Sequence, residues 1–87
     1  MRVIEKKIWP KFFKLVKSRK KSVETRLADF KISPGDTLVL REWDPRKNEY
    51  TGRSLRRKVR AVNRTYAHII YAPAMIKKYG LFTIELT

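Results

Sequence analysis

Lys20, Lys21, Ser22, Val23, Glu24, Thr25 and Arg26 set one carboxylate inside a dense run of cations. Residues 6 to 21 hold eight Lys or Arg and no acid. A carboxylate in such a field is an acceptor flanked by strong donors, chemistry suited to a polar, anionic ligand. At strand period Ser22, Glu24 and Arg26 share one face, and Val23, Thr25 and Leu27 the other. Glu24 would accept from a base or a ribose hydroxyl, while Lys21 and Arg26 hold phosphate oxygens, with Lys20 adding charge beside them. Arg26 can do so bidentately and Lys21 only as a point charge. The plainer alternative is a surface ion pair between Glu24 and Arg26, worth ~0.5 kcal/mol.

A second cationic group lies further on. Residues 53 to 64 carry six bases and no acid. At strand period Leu55, Val59 and Ala61 turn inward, and Arg56, Lys58 and Arg60 outward. With Arg53 this stripe can track phosphates, or it is a solvated face that resists edge-to-edge pairing. Tyr50, in a polar loop, is a candidate for stacking a base. Trp9, beside Pro10, and Trp43, at a strand end, could also stack bases but read more simply as core or staple residues. His68 is the only histidine and there is no cysteine, so no zinc site can be assembled and a packed His68 is expected. No cofactor is expected.

These residues must be carried by one domain of 87 residues. A chain of this size buries roughly 60% of its unfolded surface. An apolar share of 43%, with 11% aromatic, supplies one small core and argues against disorder. The N-terminus lacks an apolar signal core and no run approaches membrane-spanning length, so a cytoplasmic protein is expected. Net charge is +14, from 22 basic and 8 acidic residues. That imbalance is relieved by a polyanion, with nucleic acid the first candidate and an anionic membrane the second. Glutamine is absent and asparagine occurs only at positions 48 and 63, a composition that favours a thermophilic source.

The elements follow from pattern. Residues 2 to 9 form a first strand with Ile4 and Ile8 on one face and Glu5 and Lys7 on the other. Pro10 suits the first position of a helix whose apolar side is Phe12, Leu15 and Val16. Lys11, Lys14, Lys17 and Lys21 form its basic side. Strands are expected at Ser22 to Leu27, Thr37 to Trp43 and Leu55 to Val62, with a last one holding Phe82, Ile84 and Leu86. Pro34 and Gly35 mark a tight turn. Asp44 to Asn48 opens a polar loop that continues to Thr51, Gly52 and Arg53. Tyr66 to Tyr79 reads as an irregular loop with a short helix starting near Pro73 and ended by Gly80. The expected fold is α+β, mostly β: about five mostly antiparallel strands curled towards a small barrel, with one N-terminal amphipathic helix.

On these residues the chain resembles the ASCH superfamily, a branch of the PUA-like folds. The pattern Gly-x-Lys-x-x-Glu-x-Arg falls on Arg19, Lys21, Glu24 and Arg26. A bacterial and archaeal branch of unknown function is more similar still. Its pattern runs through Lys7-Ile8-Trp9-Pro10, Lys20 to Arg26, Gly35 to Pro45 and Tyr50-Thr51-Gly52-Arg53. The match spans residues 7 to 62. The resemblance implies a PUA-like β-barrel with a cleft between helix and sheet, RNA binding, and in some branches nuclease or nucleoside-hydrolase activity. By position it makes Lys21, Glu24 and Arg26 the site. Arg19 stands where the family has glycine, and Ile4 where the nearest branch has a histidine.

Three functions are then open. A nucleic-acid-binding module, RNA preferred over DNA, would hold a single-stranded or flipped nucleotide in a basic cleft, acting as a monomer or weak homodimer without a membrane. A small metal-independent hydrolase, a ribonuclease or an amidohydrolase on a modified nucleoside, would use Lys21 as general base with Glu24 orienting it or acting as acid. An adaptor would bind acidic proteins. No Ser-His-Asp set and no paired carboxylates are present to strengthen the second.

Overall fold

The computed structural model describes residues 1–65 and 73–87. Its elements are β1 (Val3–Ile8), α1 (Pro10–Lys17), β2 (Val23–Leu27), β3 (Thr37–Asp44), β4 (Glu49–Thr65), α2 (Pro73–Tyr79) and β5 (Leu81–Leu86). The fold is a small, mostly-β α+β domain whose five strands lie in the order β1-β3-β4-β5-β2. Among the described residues only β1 and β3 pair in parallel; the other three pairings are antiparallel. The expected short helix at Pro73 is present as α2. The expectation for His68 falls outside the described residues, as does the loop before Pro73.

Strand β4 organises the sheet. Its first half pairs with β3 and its second half with β5, so one long strand belongs to two ladders. Two register shifts bend it, one opposite Arg41 to Trp43 and one between Val59 and Ala61. The second shift changes which side chains face the core. Leu55 and Val59 turn inward as the alternation predicts, but beyond the shift it is Val62 that packs against the core. The polar loop is also shorter than expected, because β4 begins at Glu49 rather than Leu55. Asp44 Oδ1 accepts from the N–H groups of Arg46 and Lys47, and Asn48 takes φ 55°. That turn closes the chain into a hairpin pairing Asp44 with Glu49 and Trp43 with Tyr50.

The main core is built from Ile8, Leu38, Leu40, Val59, Ile84 and Leu86 of the sheet with Phe13 and Val16 of α1. The sequence pattern places Phe12 on the apolar side of this helix; the structure instead buries Phe13 and leaves Phe12 40% exposed. Phe12 and Phe13 stand four and three residues before Val16, so both positions neighbour it on the helix surface, and packing against the sheet selects Phe13. Lys11, Lys14 and Lys17 stay outside, as expected.

Both ends of α1 are held by specific contacts. Trp9 is the N-cap residue and Pro10 opens the first turn, where its missing N–H has no partner to lose. At the other end Arg19 takes φ 63° and its N–H donates to Val16 O, while Lys21 N–H donates to Leu15 O. Arg19 thus occupies the left-handed conformation that glycine adopts without strain. Arg57 Nη2, reaching in from β4, adds a cation 3.4 Å from Val16 O at the negative end of the helix.

Two buried carboxylates fasten the sheet. Glu42 on β3 is 1% exposed and receives Arg53 Nε and Nη2 at 2.8 and 2.7 Å, with the Thr51 hydroxyl at 2.7 Å. The Arg53 guanidinium holds the Glu42 carboxyl below the usual carboxylate range against the opposing effect of burial, and Thr51 adds to it. Asp36, after the Pro34-Gly35 turn, accepts from the backbone N–H groups of Arg2 and Ser33, and these hold its carboxyl low. Both shifts are depressions, so their stabilisation is present above the ordinary carboxylate range and is lost as pH falls through the folded values.

Three outcomes follow for stability, read by denaturant unfolding. Phe13→Ala should lower stability by about 3–5 kcal/mol and Phe12→Ala by under about 1 kcal/mol, and equal losses would place the helix in the wrong phase. Arg19→Gly should raise stability by about 1 kcal/mol, a gain that disappears if residue 19 is not left-handed. Stability should decline as pH drops below about 4, with a shallower decline in Glu42→Gln and in Asp36→Asn; an acid limb identical to wild type in both variants contradicts the assignment.

Candidate nucleic-acid interface

Alternation along β2 turns Glu24 and Arg26 to the side of the sheet that carries the core residues Ile84 and Phe82 of β5, their pairing partners. Lys21, in the link between α1 and β2, reaches the same place. Its Nζ lies 2.7 Å from Glu24 Oε1 and also donates to the Val23 carbonyl. Arg26 Nε donates to Glu24 Oε2 at 2.8 Å, and Arg26 Nη2 donates to the carbonyl of Lys7 on β1. The Glu24 side chain is only 6% exposed, against 28% for Lys21 and 20% for Arg26. Each oxygen of one buried carboxylate therefore meets its own cation, which makes burial of the charge tolerable.

The trio forms one wall of a cleft of about 540 Å³ between α1, the end of β1 and β2. The rest of its lining is Thr25 and the apolar side chains of Ile8, Trp9 and Phe12. Trp9 is 57% exposed, so it is not the core residue its sequence context suggests. It stands over the cleft because an N-cap residue lies outside the helix and its packed face. Trp9 was expected first as a core or staple residue and only second as a stacking one, and Phe12 was expected on the packed side of the helix.

The hydrogen-bonding capacity left in the trio is countable. A carboxylate has about four lone-pair sites, an ammonium three protons and a guanidinium five. After the internal contacts Glu24 keeps two acceptor sites, Lys21 one proton, and Arg26 the protons outside its two bonds to Glu24 and Lys7. The site can accept from and donate to the edge of a planar polar ligand while Trp9 and Phe12 cover its face. Lys21 is held as a donor to a carboxylate and a carbonyl, with no lone pair aimed into the cleft as a general base requires.

The other expected site residues are placed elsewhere. Lys20 and Ser22 are exposed and line no part of the cleft. Arg53 is bound to Glu42. Arg56, Lys58 and Arg60 are exposed along β4, the first two opposite Val39 and Thr37 on the outer face of the sheet. Tyr50 lies in a neighbouring hollow of about 420 Å³, lined also by Glu5, Lys6, Lys7, Arg26 and Arg41. Arg26 is shared by the cleft and the hollow. Among the described residues no helix is long and apolar enough to cross a membrane, and no cluster of three or more acidic, His or Cys side chains is placed to hold a metal.

No curated protein matches the chain. A crystal structure of the hypothetical protein PH0355 shares the fold, with a TM-score of 0.75 at 22% identity over 99% of this chain and 97% of that one. A family model described as a domain of unknown function, DUF3850, matches residues 3–76. That span takes in the cleft with its whole lining, and the chain belongs to the DUF3850 family.

Proposed function

We propose that this domain is an RNA-binding module of the ASCH type that holds a single-stranded or flipped nucleotide in the cleft between α1 and β2. The observation that carries the reading is the Lys21–Glu24–Arg26 trio, a buried acceptor with two donors, facing the exposed rings of Trp9 and Phe12. An unpaired base needs that combination: a face to stack on and a polar edge to bond. A net charge of +14 supplies affinity for the backbone whatever the sequence. Duplexes hide base faces, so single strands are preferred. In this reading the sheet is a PUA-like β-barrel, with the bond from Arg26 to the Lys7 carbonyl standing between the edge strands β1 and β2.

A second reading, metal-independent hydrolysis of RNA or a modified nucleoside, is favoured by one observation, the 2.7 Å contact of Lys21 with Glu24 inside the cleft. In that reading a bound ligand draws Glu24 away, Lys21 gives up one ammonium proton to solvent, and the neutral amine then accepts the proton of the attacking water, with Glu24 orienting it or acting as acid.

Binding of a labelled single-stranded RNA about eight nucleotides long, and of duplex DNA of equal charge, separates these ideas. The RNA should bind more tightly, and its affinity should fall at least about tenfold between roughly 50 and 300 mM salt. Glu24→Gln and Phe12→Ala should weaken RNA binding several-fold with little change in the salt slope. Equal affinity for both nucleic acids, or no effect of either substitution, would sink the cleft as the site. Turnover of labelled RNA or acylated cytidine, lost in both Lys21→Ala and Glu24→Ala, would establish the hydrolase instead.

A further inference from the structure

The hollow beside the cleft has the composition of a second subsite. Its rim carries Lys6, Lys7, Arg26 and Arg41 against the single acid Glu5. Glu5 is loosely engaged, 3.8 Å from Arg41 Nε with its side chain 61% exposed, so it neutralises little of that charge. At the far side stand two aromatic rings in fixed mutual orientation. Trp43 and Tyr50 meet edge to face, with centroids 5.0 Å apart and planes at 84°. Arg41 lies 3.8 Å over the Tyr50 ring and Lys7 3.9 Å over the Trp43 ring. The strand pairing that places Trp43 opposite Tyr50 builds this platform, and Tyr50 remains 38% exposed.

A cation stacked on an aromatic ring is one layer of a stack whose next layer a nucleobase can supply, since a guanidinium plane receives a base as an aromatic ring does. Between platform and cleft lies Arg26, with Nε and Nη2 bonded to Glu24 and the Lys7 carbonyl. Among the described residues Arg26 Nη1 has no protein acceptor, and Lys7 and Arg41 flank the same space. That is where the phosphate joining two nucleotides would fall.

We propose that the hollow is a second nucleotide subsite, taking the linking phosphate at Arg26, Lys7 and Arg41 and the adjoining base on the Arg41–Tyr50 stack, so that the unit recognised is a dinucleotide of single-stranded RNA. The proposal rests on the cleft being a nucleotide site. It adds a register: the two bases lie on opposite sides of Arg26, splayed apart rather than stacked on each other.

The chain provides its own reporters, because one of its two tryptophans lies in each place, Trp9 in the cleft and Trp43 behind the hollow. Titrating the full chain with ribonucleosides, with their 3′-monophosphates and with dinucleoside monophosphates, while following both indole N–H signals by NMR, tests the arrangement. A nucleoside should shift the Trp9 signal alone, and a dinucleotide both. The dinucleotide should bind about tenfold more tightly than the nucleoside, with a salt slope steeper by about 0.7. Tyr50→Ala should abolish that advantage and Tyr50→Phe preserve it, with Arg41→Gln as an independent variant that leaves the ring pair in place. A dinucleotide that shifts Trp9 alone, or binds no tighter than its nucleoside, overturns the second subsite and leaves the cleft standing. Absence of any shift with every probe overturns both readings.

Discussion

Burial of the Glu24 carboxylate is the constraint on which the arrangement of this domain turns. A lone carboxylate taken out of water costs several kcal/mol, and only a close cation on each oxygen offsets that. Lys21 and Arg26 provide those cations from two different positions in the chain, the link after α1 and the strand β2 itself. Satisfying Glu24 therefore ties the link after α1 to β2 along the polar lining of the cleft. Arg26 extends the effect, because the same guanidinium reaches the Lys7 carbonyl of β1. The two strands at opposite ends of the ladder are linked through one side chain. Beneath that contact Phe30 packs edge to face on Phe82, with Lys6 Nζ 3.8 Å over its ring, so apolar contact continues where backbone pairing stops.

The same logic partitions the charge. Acids here act chiefly as anchors: Glu24 holds Lys21 and Arg26, Glu42 holds Arg53, and Asp36 holds the backbone at Arg2 and Ser33. Cations bonded in this way are rigid and partly neutralised. By contrast Lys11, Lys14 and Lys17 of α1 and Arg56, Lys58 and Arg60 of β4 are exposed and, among the described residues, take part in no ion pair. A repelling surface of that kind is costly alone and favourable beside a polyanion.

How much of this could be read from the chain depends on whether the information was local. Period-two alternation put Glu24 and Arg26 on one face, and the pattern through Lys21 brought in the third member, because β2 is a regular strand without a bulge. The number of strands, the Pro34-Gly35 turn and the helix beginning at Pro73 were legible for the same reason. What was not legible depends on phase or register. Phe12 and Phe13 look alike in sequence, and only packing against the sheet decides which is buried. The bulge after Val59 carries no glycine or proline to mark it, so alternation continued past it gives Ala61 where Val62 packs. Nothing local to Glu42 marks its burial, which depends on Arg53 and Thr51 being brought over it by the hairpin. The barrel expected from strand count corresponds among the described residues to a five-stranded mixed sheet with β1 and β2 at its ends.

Separating anchored from free cations also separates affinity from selectivity. A phosphate approaching Lys21 competes with Glu24 for the same ammonium, so the trio cannot give the full attraction of two unpaired cations. Its remaining acceptor sites on Glu24 repel a phosphate oxygen and welcome an amino group, which favours a base edge over the backbone. The exposed bases have the opposite character: strong and indifferent to sequence. A ligand held only by the latter would bind anywhere along the outer face and lose its grip with salt. One that also places a base against Trp9 and Phe12 is fixed in position by contacts that salt screens far less. In the function proposed for so heavily charged a protein, the buried carboxylate is what would convert general attraction to polyanions into a defined site.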